Sequence, residues 1–332
     1  MAETILEIDN LSLRYKTKKG DVKALNRVSF QLEKGLALGL VGESGCGKTT
    51  LANAILRLLP DNAEITGGHI YFDKEDLLLL AEQELREYRW KKISMIFQAA
   101  MNALAPVYRV GDQIIEAIQN HAPEFTYSAA KERVQRLFEL VGLDCSRIDH
   151  YPHQYSGGMK QRAIIAMALA CDPDLIIADE PTTALDVIVQ DRILKRLNRV
   201  REELGMTMIY ISHDIAVIAE LSKVMGVMYA GELVEFGSTL SLFKQAIHPY
   251  TAGLMNSFPS IKGAKNQLSI IPGEPPNLLN PPAGCKFHPR CQYVTAQCRQ
   301  VRPPLYRSPT EQQHFALCWH PLGANGKEND HE

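Results

Sequence analysis

The chain has 332 residues, of which 45% are hydrophobic and 22% are charged, and its formal net charge is −2. This length allows one large domain with an appendage or two ordinary domains, and the composition is that of a globular protein able to bury a core. A net charge so close to zero argues against nonspecific attraction to nucleic acid or anionic lipid, so we expect no nucleic-acid partner.

Two features of the sequence concern membranes and secretion. The first ten residues contain three acidic side chains and no basic one, which predicts that they are not a signal peptide. The longest apolar stretch, near Ala163 to Ala170, is far shorter than the roughly 20 residues of a membrane-spanning helix. We therefore expect any membrane role to come through partner subunits.

The predicted elements begin with two strands. Residues 4–15 and 24–32 alternate between apolar and polar side chains, which predicts half-exposed strands of an antiparallel sheet. The apolar run Leu36 to Val41 predicts a buried strand, and Thr49 to Leu59 predicts a helix.

Residues 42–50, between that strand and helix, read Gly-Glu-Ser-Gly-Cys-Gly-Lys-Thr-Thr and fit the phosphate-binding loop pattern. Glycines let backbone N–H groups surround phosphates, Lys48 adds a positive charge, and the Thr49 hydroxyl can ligate Mg²⁺. Strand, loop and helix in this order predict a nucleoside triphosphate site. The predicted nucleotide contacts are Gly42, Ser44, Gly45, Cys46, Gly47, Lys48, Thr49 and Thr50.

Cys46 lies at the N-terminus of the predicted helix, where thiolate formation is favoured. We hypothesise that its oxidation inhibits the protein.

The middle of the chain is predicted to be mostly helical from Leu85 to Gly142, apart from a strand over Ile93 to Phe97. The remaining predicted strands follow from apolar runs and from a turn at Ala230-Gly231-Glu232. These predictions are strands at Gly67–Phe72, Leu175–Ala178 and Met206–Ile211, a hairpin over Gly226–Phe236, and amphipathic helices at Val110–Gln119 and Ala129–Leu140.

The strand at 175–178 ends in two carboxylates. Asp179 is placed to hold the Mg²⁺ hydration shell, and Glu180 could polarise an attacking water. Ser156, Gly157 and Gly158 precede a helix predicted over Arg162 to Ala170 and form a second candidate anion site. Taken alone, a strand that ends in Asp179 and Glu180 is as common in a surface turn as in a metal site. Taken alone, the segment from Ser156 to Gly158 is more often an ordinary helix cap than an anion site.

Three motifs follow the phosphate loop in order: Tyr155-Ser-Gly-Gly-Met-Lys-Gln-Arg, Asp179-Glu-Pro-Thr-Thr-Ala-Leu-Asp186 and Ile211-Ser-His-Asp214. Together they resemble the ATP-binding cassette (ABC) ATPases over about residues 4–255. The chain departs from the family's usual signature at Tyr155 and Met159, where Leu and Gln are expected, but keeps the anion-binding serine and glycines.

The resemblance implies a role for each matching residue, although alone each is more often an ordinary loop, core or surface side chain. Gln98 would sense Mg²⁺ and touch the transmembrane subunit, and Asp186 would lie at a dimer seam. Ser156, Gly157 and Gly158 would grip the γ-phosphate bound to the opposite subunit. His213 would contact the γ-phosphate, and Tyr15 would stack on adenine. Glu180, His213 and Gln98 would be catalytic, and Thr49, Gln98 and Asp179 would hold Mg²⁺.

The C-terminal part has a different composition. Six prolines between Pro259 and Pro282 predict an extended linker. Four cysteines then fall within 34 residues, and without a secretion signal they indicate a metal site rather than disulfides. They are Cys285, Cys291, Cys298 and Cys318.

Four thiolates suit a 4Fe–4S cluster or a tetrahedral zinc ion. His288, His314 or His320 could replace a cysteine, and metal-free reduced thiols are a third alternative. The stretches Ile271-Pro-Gly-Glu-Pro-Pro and Pro281-Pro-Ala-Gly-Cys-Lys-Phe-His-Pro-Arg-Cys291 resemble the C-terminal extension of dipeptide and oligopeptide permease ATP-binding subunits. That resemblance implies a 4Fe–4S cluster, and it implies import of short peptides or, in some relatives, of nickel or oligosaccharides.

The expected fold is an α/β P-loop ABC ATPase core over 1–255, with an antiparallel β subdomain and a helical subdomain at about 88–165. A proline-rich linker and a small metal-stapled four-cysteine domain would occupy 256–332. The expected function is ATP hydrolysis for an ABC importer, at the cytoplasmic face of the membrane and peripheral to it. A soluble ABC ATPase acting in iron–sulfur assembly or on ribosomes is the alternative.

The expected partners are a homologous ATPase subunit in a head-to-tail heterodimer and two transmembrane permease subunits. An extracellular substrate-binding protein would act indirectly.

Overall fold

The computed structural model describes residues 3–98, 103–182, 185–257, 271–311 and 313–323. In chain order, strands β1 to β12 are Thr4–Thr17, Gly20–Glu33, Ala37–Val41, Ala63–Phe72, Glu75–Asp76, Ile93–Ile96, Leu175–Asp179, Thr207–Ile211, Val224–Tyr229, Glu232–Ser238, Leu305–Arg307 and Phe315–Leu317. Helices α1 to α10 are Lys48–Ile55, Glu82–Tyr88, Val110–His121, Tyr127–Val141, Gly157–Ala168, Val187–Leu204, Ile215–Leu221, Thr239–Lys244, Pro249–Asn256 and Ala296–Gln300.

The chain divides into two compact units. The helix-rich unit comprises Glu33–Ala37 and the described part of Leu79–Ile211. The sheet-rich unit comprises Glu3–Leu32, Leu38–Leu78 and the described part of Ser212–Glu332.

The sheet-rich unit contains the predicted antiparallel sheet, with strand order β2-β1-β4-β5. Strands β1 and β4 are antiparallel, and Leu6 lies opposite Phe72 and Ile8 opposite Ile70. All four of these side chains are buried, so the apolar face of the alternating pattern forms the core side of this sheet. Both early strands extend beyond their predicted ends.

A second group of strands in the same unit has the order β11-β12-β10-β9-β3. Strand β3 is buried along its whole length and pairs in parallel with β9. Strands β9 and β10 form the predicted hairpin, and its two turn residues, Ala230 and Gly231, have φ angles of 49° and 81°. Positive φ at both positions is what the twist of a two-residue hairpin requires.

The tail adds two strands to this sheet, which the sequence analysis did not predict. Strand β12 pairs antiparallel with β10, so that Phe315 lies opposite Phe236, and β11 pairs with β12. The rings of Phe236 and Phe315 stack with 5.4 Å between their centroids. Backbone hydrogen bonds and aromatic packing therefore join the tail to the rest of this unit.

A buried carboxylate strengthens that junction. Glu235 on β10 is fully buried, and its two carboxylate oxygens accept hydrogen bonds from the Ile247 and His248 backbone N–H groups, each at 2.8 Å. Nε2 of His314, in the tail, lies 2.8 Å from the same carboxylate. Glu235 thus holds the connection between α8 and α9 and the residue just before β12.

In the helix-rich unit, β6, β7 and β8 form a parallel group in the order β8-β7-β6. Helices α3 and α4 agree with their predicted positions; Thr126 caps the start of α4, and Gly142, with φ of 75°, ends it. Helix α5 begins at Gly157, five residues before its predicted start. The Ser156 hydroxyl caps it there by accepting the Met159 N–H, so both glycines belong to its first turn.

Across the described ranges, no helix combines the length and the apolar character needed to cross a membrane.

We expect Glu235→Ala to lower the free energy of unfolding of the sheet-rich unit by about 3–5 kcal/mol, because three buried hydrogen-bonding groups lose their acceptor. The chain has two tryptophans, so in a Trp90→Phe background Trp319 alone reports on the tail during chemical denaturation. Exposed Glu132 on α4 provides a matched control, and Glu132→Ala should change the stability by less than about 0.5 kcal/mol. Equal stabilities of the two variants would contradict the role given to Glu235.

Candidate functional site

The phosphate-binding loop lies in the sheet-rich unit, between buried strand β3 and helix α1. Its glycines have left-handed backbone angles, with φ of 147° at Gly42, 78° at Gly45 and 107° at Gly47. A Cβ at Gly42 would lie 2.1 Å from the Met228 carbonyl oxygen, and one at Gly47 would lie 2.6 Å from the Ala24 carbonyl oxygen. The loop therefore requires glycine at these two positions for both conformation and space.

The charged and polar groups of the loop suit an anion. Lys48 is buried, and its ammonium donates hydrogen bonds to the carbonyls of Gly42 at 2.8 Å and Glu43 at 3.1 Å. Helix α1 starts at Lys48 behind a glycine N-cap, which has no side chain to accept the first N–H groups. Those N–H groups and the positive end of the helix dipole are thus available to a phosphate. The hydroxyls of Ser44 and Thr49 belong to exposed residues of the same segment.

Two other predicted nucleotide contacts belong to the sheet-rich unit. Tyr15 is half-buried near the end of β1, and its hydroxyl lies 3.2 Å from the Thr50 hydroxyl on α1. The structure thus brings Tyr15 to the helix that follows the loop. His213 is exposed and precedes α7, whose N-terminus is capped by Asp214.

The helix-rich unit brings Gln98 and Glu180 together. Asp179 is buried at the end of β7, and Glu180 follows it with a left-handed backbone (φ 45°). The Glu180 N–H donates to the Ile211 carbonyl at 2.9 Å, and the Gln98 amide donates to the Glu180 carboxylate at 2.9 Å. A non-glycine residue with this backbone is strained, and such strain is common where a side chain must be aimed for function.

The signature serine and the Asp186 motif occupy neighbouring helix starts in the same unit. Ser156 caps α5, and Asp186 caps α6 by accepting the Val189 N–H at 2.9 Å. A Cβ at Gly158 would lie 2.9 Å from a Val189 methyl, so this glycine also lets the two helix ends approach. Tyr155, the departure from the usual leucine, is buried, and its hydroxyl donates to the Arg147 carbonyl at 2.6 Å.

The favoured thiolate expected at Cys46 is contradicted by the burial of this residue. Its side chain is buried, and this burial raises the pKa of the thiol above its ordinary value. The nearby Lys48 ammonium acts in the opposite direction, but its effect on the pKa is smaller than that of desolvation. Burial therefore disfavours the thiolate at Cys46.

The four tail cysteines line one small cavity in the sheet-rich unit, and none of them forms a disulfide. Burial, reinforced by the neighbouring cysteines, raises the pKa of Cys285 to about 11 and that of Cys318 to about 12. The other lining residues are His248, Pro249, Phe287, His288, Tyr293, Trp319 and His320.

The histidine alternatives are now separated. His288 and His320 line the cavity, whereas His314 is committed to Glu235 on β10. Among the residues that the structure describes, no group of three or more His, Cys, Asp or Glu side chains is arranged to hold a metal ion.

The sequence did not predict one contact of the phosphate loop, between Glu43 and Arg290. The Glu43 carboxylate, within the loop, receives two hydrogen bonds from the Arg290 guanidinium of the tail. Glu43 occupies a position that the loop pattern leaves variable, and Arg290 is 247 residues further along the chain. The only local signal was a charged residue between two cysteines, which by itself is ordinary.

Comparison with known proteins identifies the family of this chain. The model of the ABC transporter family matches residues 25–183, and that of the oligopeptide/dipeptide transporter C-terminal region matches residues 234–298. The dipeptide transport ATP-binding protein of Lactococcus lactis is 43% identical over 320 residues, which are 96% of this chain and 91% of that protein. This chain belongs to the ABC transporter ATP-binding proteins of the dipeptide and oligopeptide type.

Further relatives and solved structures extend the comparison. The oligopeptide transport ATP-binding protein of Haemophilus influenzae is 44% identical over 318 residues, 95% of this chain and 97% of that protein. A dimeric bacterial ABC transporter cassette superposes with a TM-score of 0.64 at 29% identity, over 71% of this chain and 99% of the cassette. An ATP-binding cassette dimer in a post-hydrolysis state with ADP and Pi gives a TM-score of 0.63, with the same identity and coverage. The expected P-loop ABC ATPase fold is confirmed.

We expect iodoacetamide at pH 7 to modify Cys46 at least about tenfold more slowly in the native protein than in the protein unfolded in guanidinium. Burial limits access of the reagent, and the raised pKa lowers the fraction of thiolate. Peptide mass mapping over time measures both rates. Modification of native Cys46 should accelerate as the pH rises towards its pKa. Equal rates in native and unfolded protein at pH 7 would restore the reactive-thiolate hypothesis.

Proposed function

We propose that this chain is the ATP-hydrolysing subunit of an ABC importer that takes up di- and oligopeptides. The observation that carries the proposal is the extent of the likeness. It includes the ordered nucleotide motifs and continues through the C-terminal region, and relatives matched over nearly the whole chain are named dipeptide or oligopeptide transport ATP-binding proteins.

In this proposal the phosphate loop binds the β- and γ-phosphates, and Tyr15 contacts the adenine. Mg²⁺ would be held by the Thr49 hydroxyl, the Asp179 carboxylate and the Gln98 amide, whose oxygens are ligands of the kind that this ion prefers. When bound, Mg²⁺ neutralises the phosphate charge. Glu180 orients and deprotonates the attacking water. The Gln98 amide donates a hydrogen bond to the Glu180 carboxylate at 2.9 Å. His213 contacts the γ-phosphate.

We further propose that two homologous subunits form a head-to-tail heterodimer. Ser156, Gly157 and Gly158 at the start of α5 would bind the γ-phosphate held by the partner, and Asp186 would lie at the seam. Val187 and Ile188, at the start of α6, are 81% and 66% exposed, an apolar pair that a partner subunit would cover. The two cassette structures that resemble this chain are both dimers.

Two transmembrane permease subunits would dock on the helix-rich unit at the cytoplasmic face of the membrane. Val107 and Tyr108, just before α3, are 72% and 63% exposed, and they follow the Gln98 segment in the chain. Exposed apolar side chains near that glutamine support a contact that couples hydrolysis to the membrane subunits. Residues 99–102, which lie between them, are outside the described residues. An extracellular substrate-binding protein would deliver the peptide to the permease.

For the tail we propose a 4Fe–4S cluster held by Cys285, Cys291, Cys298 and Cys318. Four thiols around one cavity are the ligand number and type that such a cluster takes. The resemblance of the tail to the C-terminal extension of dipeptide and oligopeptide permease ATP-binding subunits favours the cluster over zinc. The metal would stabilise the end of the tail, which follows the ATPase domain proposed at 1–255.

Import of nickel or oligosaccharides, and a soluble ABC ATPase of iron–sulfur assembly, are the alternatives. The relatives that match nearly the whole chain are named dipeptide or oligopeptide transport proteins, and these names favour the peptide importer over both.

Two substitutions separate binding from hydrolysis. We expect Lys48→Ala to weaken ATP affinity at least about tenfold, because the loop loses its phosphate-neutralising charge. Glu180→Gln should keep the wild-type affinity, lose hydrolysis, and accumulate an ATP-loaded dimer with the partner subunit. Titration with a fluorescent ATP analogue and size-exclusion chromatography measure the two effects.

Equal loss of ATP binding in Lys48→Ala and Glu180→Gln would contradict the separate roles of Lys48 and Glu180.

Uptake of a labelled dipeptide by cells that express the complete transporter tests the cargo, with Lys48→Ala as the inactive control. ATP-dependent uptake of nickel or an oligosaccharide without peptide uptake would replace the proposed cargo.

We expect the anaerobically purified full-length chain to contain about four iron atoms and about four acid-labile sulfides. Cys291→Ser should lose most of this iron, whereas Cys145→Ser, outside the cavity, should retain it. Zinc without iron or sulfide would overturn the cluster. Absence of both iron and zinc would also overturn it and would identify the cysteines as packing thiols.

A further inference from the structure

The cysteine cavity and the phosphate loop are connected by one arginine. Arg290 lies immediately before Cys291, in the short helical turn His288–Arg290, and its side chain is only 6% exposed. Its two terminal nitrogens donate to the two carboxylate oxygens of Glu43, at 2.6 and 2.9 Å. This is the parallel two-bond geometry that fixes both distance and orientation.

The remaining hydrogen bonds of Arg290 hold its guanidinium in place. Nε donates to the Pro272 carbonyl at 2.7 Å, and Nη1 also lies 3.3 Å from the Tyr229 hydroxyl. Four acceptor contacts to three partners leave this side chain little freedom. The position of the Glu43 carboxylate is therefore set by the tail.

Glu43 is itself tied into the phosphate loop. Its backbone N–H donates to the Tyr250 hydroxyl at 3.1 Å, and its carbonyl accepts from the Lys48 ammonium at 3.1 Å. Since Lys48 is the loop's phosphate-binding cation, a displacement of Glu43 alters an acceptor that orients this cation. Arg290 and Tyr250 together hold the loop at Glu43.

Aromatic packing joins the same parts. Phe287, between Cys285 and Cys291, is buried, and its ring lies 5.3 Å from the rings of both Tyr229 and Tyr250. The turn between the two cysteines thus presents a packed ring and a paired cation to the loop's supporting residues. The contacts between this turn and the residues around the loop are short and largely buried.

We propose that Arg290 is a positioning residue for the phosphate-binding loop, through which the cysteine-lined part of the tail sets ATP affinity. The inference rests on the ATP-binding function of the loop but not on what the cysteines bind. It assigns to the tail an effect on the ATPase site, beyond its attachment to the sheet.

The test compares variants of the full-length chain. Arg290→Lys keeps the charge but loses the two-bond geometry, and Arg290→Gln loses both. We expect each to weaken the affinity for a fluorescent ATP analogue by about tenfold, within the range typical of coupling between sites. Exposed Arg299 on α10 provides the matched control, and Arg299→Gln should leave the affinity unchanged.

A double-mutant cycle identifies the partner. Glu43→Gln should weaken binding to a similar extent, and combining it with Arg290→Gln should add little, because both remove the same interaction. Fully additive losses would overturn the proposed pairing. Circular dichroism and thermal melting exclude unfolded variants, and Arg290→Lys serves if Arg290→Gln does not fold.

A second readout detects transmission directly. Trp319 lines the cysteine cavity, so in a Trp90→Phe background its fluorescence should change when ATP binds, and Arg290→Lys at saturating ATP should abolish the change. Wild-type ATP affinity in Arg290→Lys and Arg290→Gln, with the Trp319 response intact, would overturn the inference. Absence of ATP binding by the wild-type chain would instead refute the proposed function.

Discussion

The phosphate-binding loop depends on a backbone that only glycine can adopt without displacing its neighbours. At Gly42 and Gly47 the φ angles are positive, and carbonyl oxygens of Met228 and Ala24 occupy the space where a side chain would begin. Strand β3 enters this turn fully buried, and α1 leaves it with a glycine N-cap. The steric fit of the backbone thus places the N–H groups and Lys48 where an anion can meet them.

Helix capping fixes the positions of the motif residues that follow the phosphate loop in the chain. Ser156 and Asp186 are N-caps of α5 and α6, and Asp214 caps α7. A side chain that satisfies the N–H groups at a helix start also fixes its own position. The nucleotide and partner contacts proposed for Ser156 and Asp186 would therefore be held in place by the helices that these residues cap.

The tail is attached by hydrogen bonds to carboxylates as well as by strands. Three carboxylates of the sheet-rich unit each pair with a tail residue: Glu43 with Arg290, Glu232 with Arg302 at 3.0 Å, and Glu235 with His314. Glu232 and Glu235 are buried, and removal of a tail partner would leave a buried carboxylate short of a compensating donor. A tail rich in proline thus gains a defined position without a large core of its own.

The sequence by itself determined the features that depend on neighbouring residues. The alternation in β1, the positive-φ turn at Ala230 and Gly231, and the loop from Gly42 to Thr49 are local patterns, and each forms where it was predicted. The strand ending in Asp179 and Glu180 is local in the same sense. The start of α5 was predicted wrongly, because both glycines were expected to precede the helix, whereas the Ser156 cap includes them in its first turn.

Only the tertiary structure decided which distant groups meet. The pKa of Cys46 rises because burial outweighs the adjacent lysine, and burial is a property of packing rather than of the local sequence. The attachment of β12 to β10, the convergence of four cysteines on one cavity, and the pairing of Glu43 with Arg290 join residues far apart in the chain. Chain composition records that such groups exist, but hydrogen bonds and desolvation depend on distances that arise only when the chain has folded.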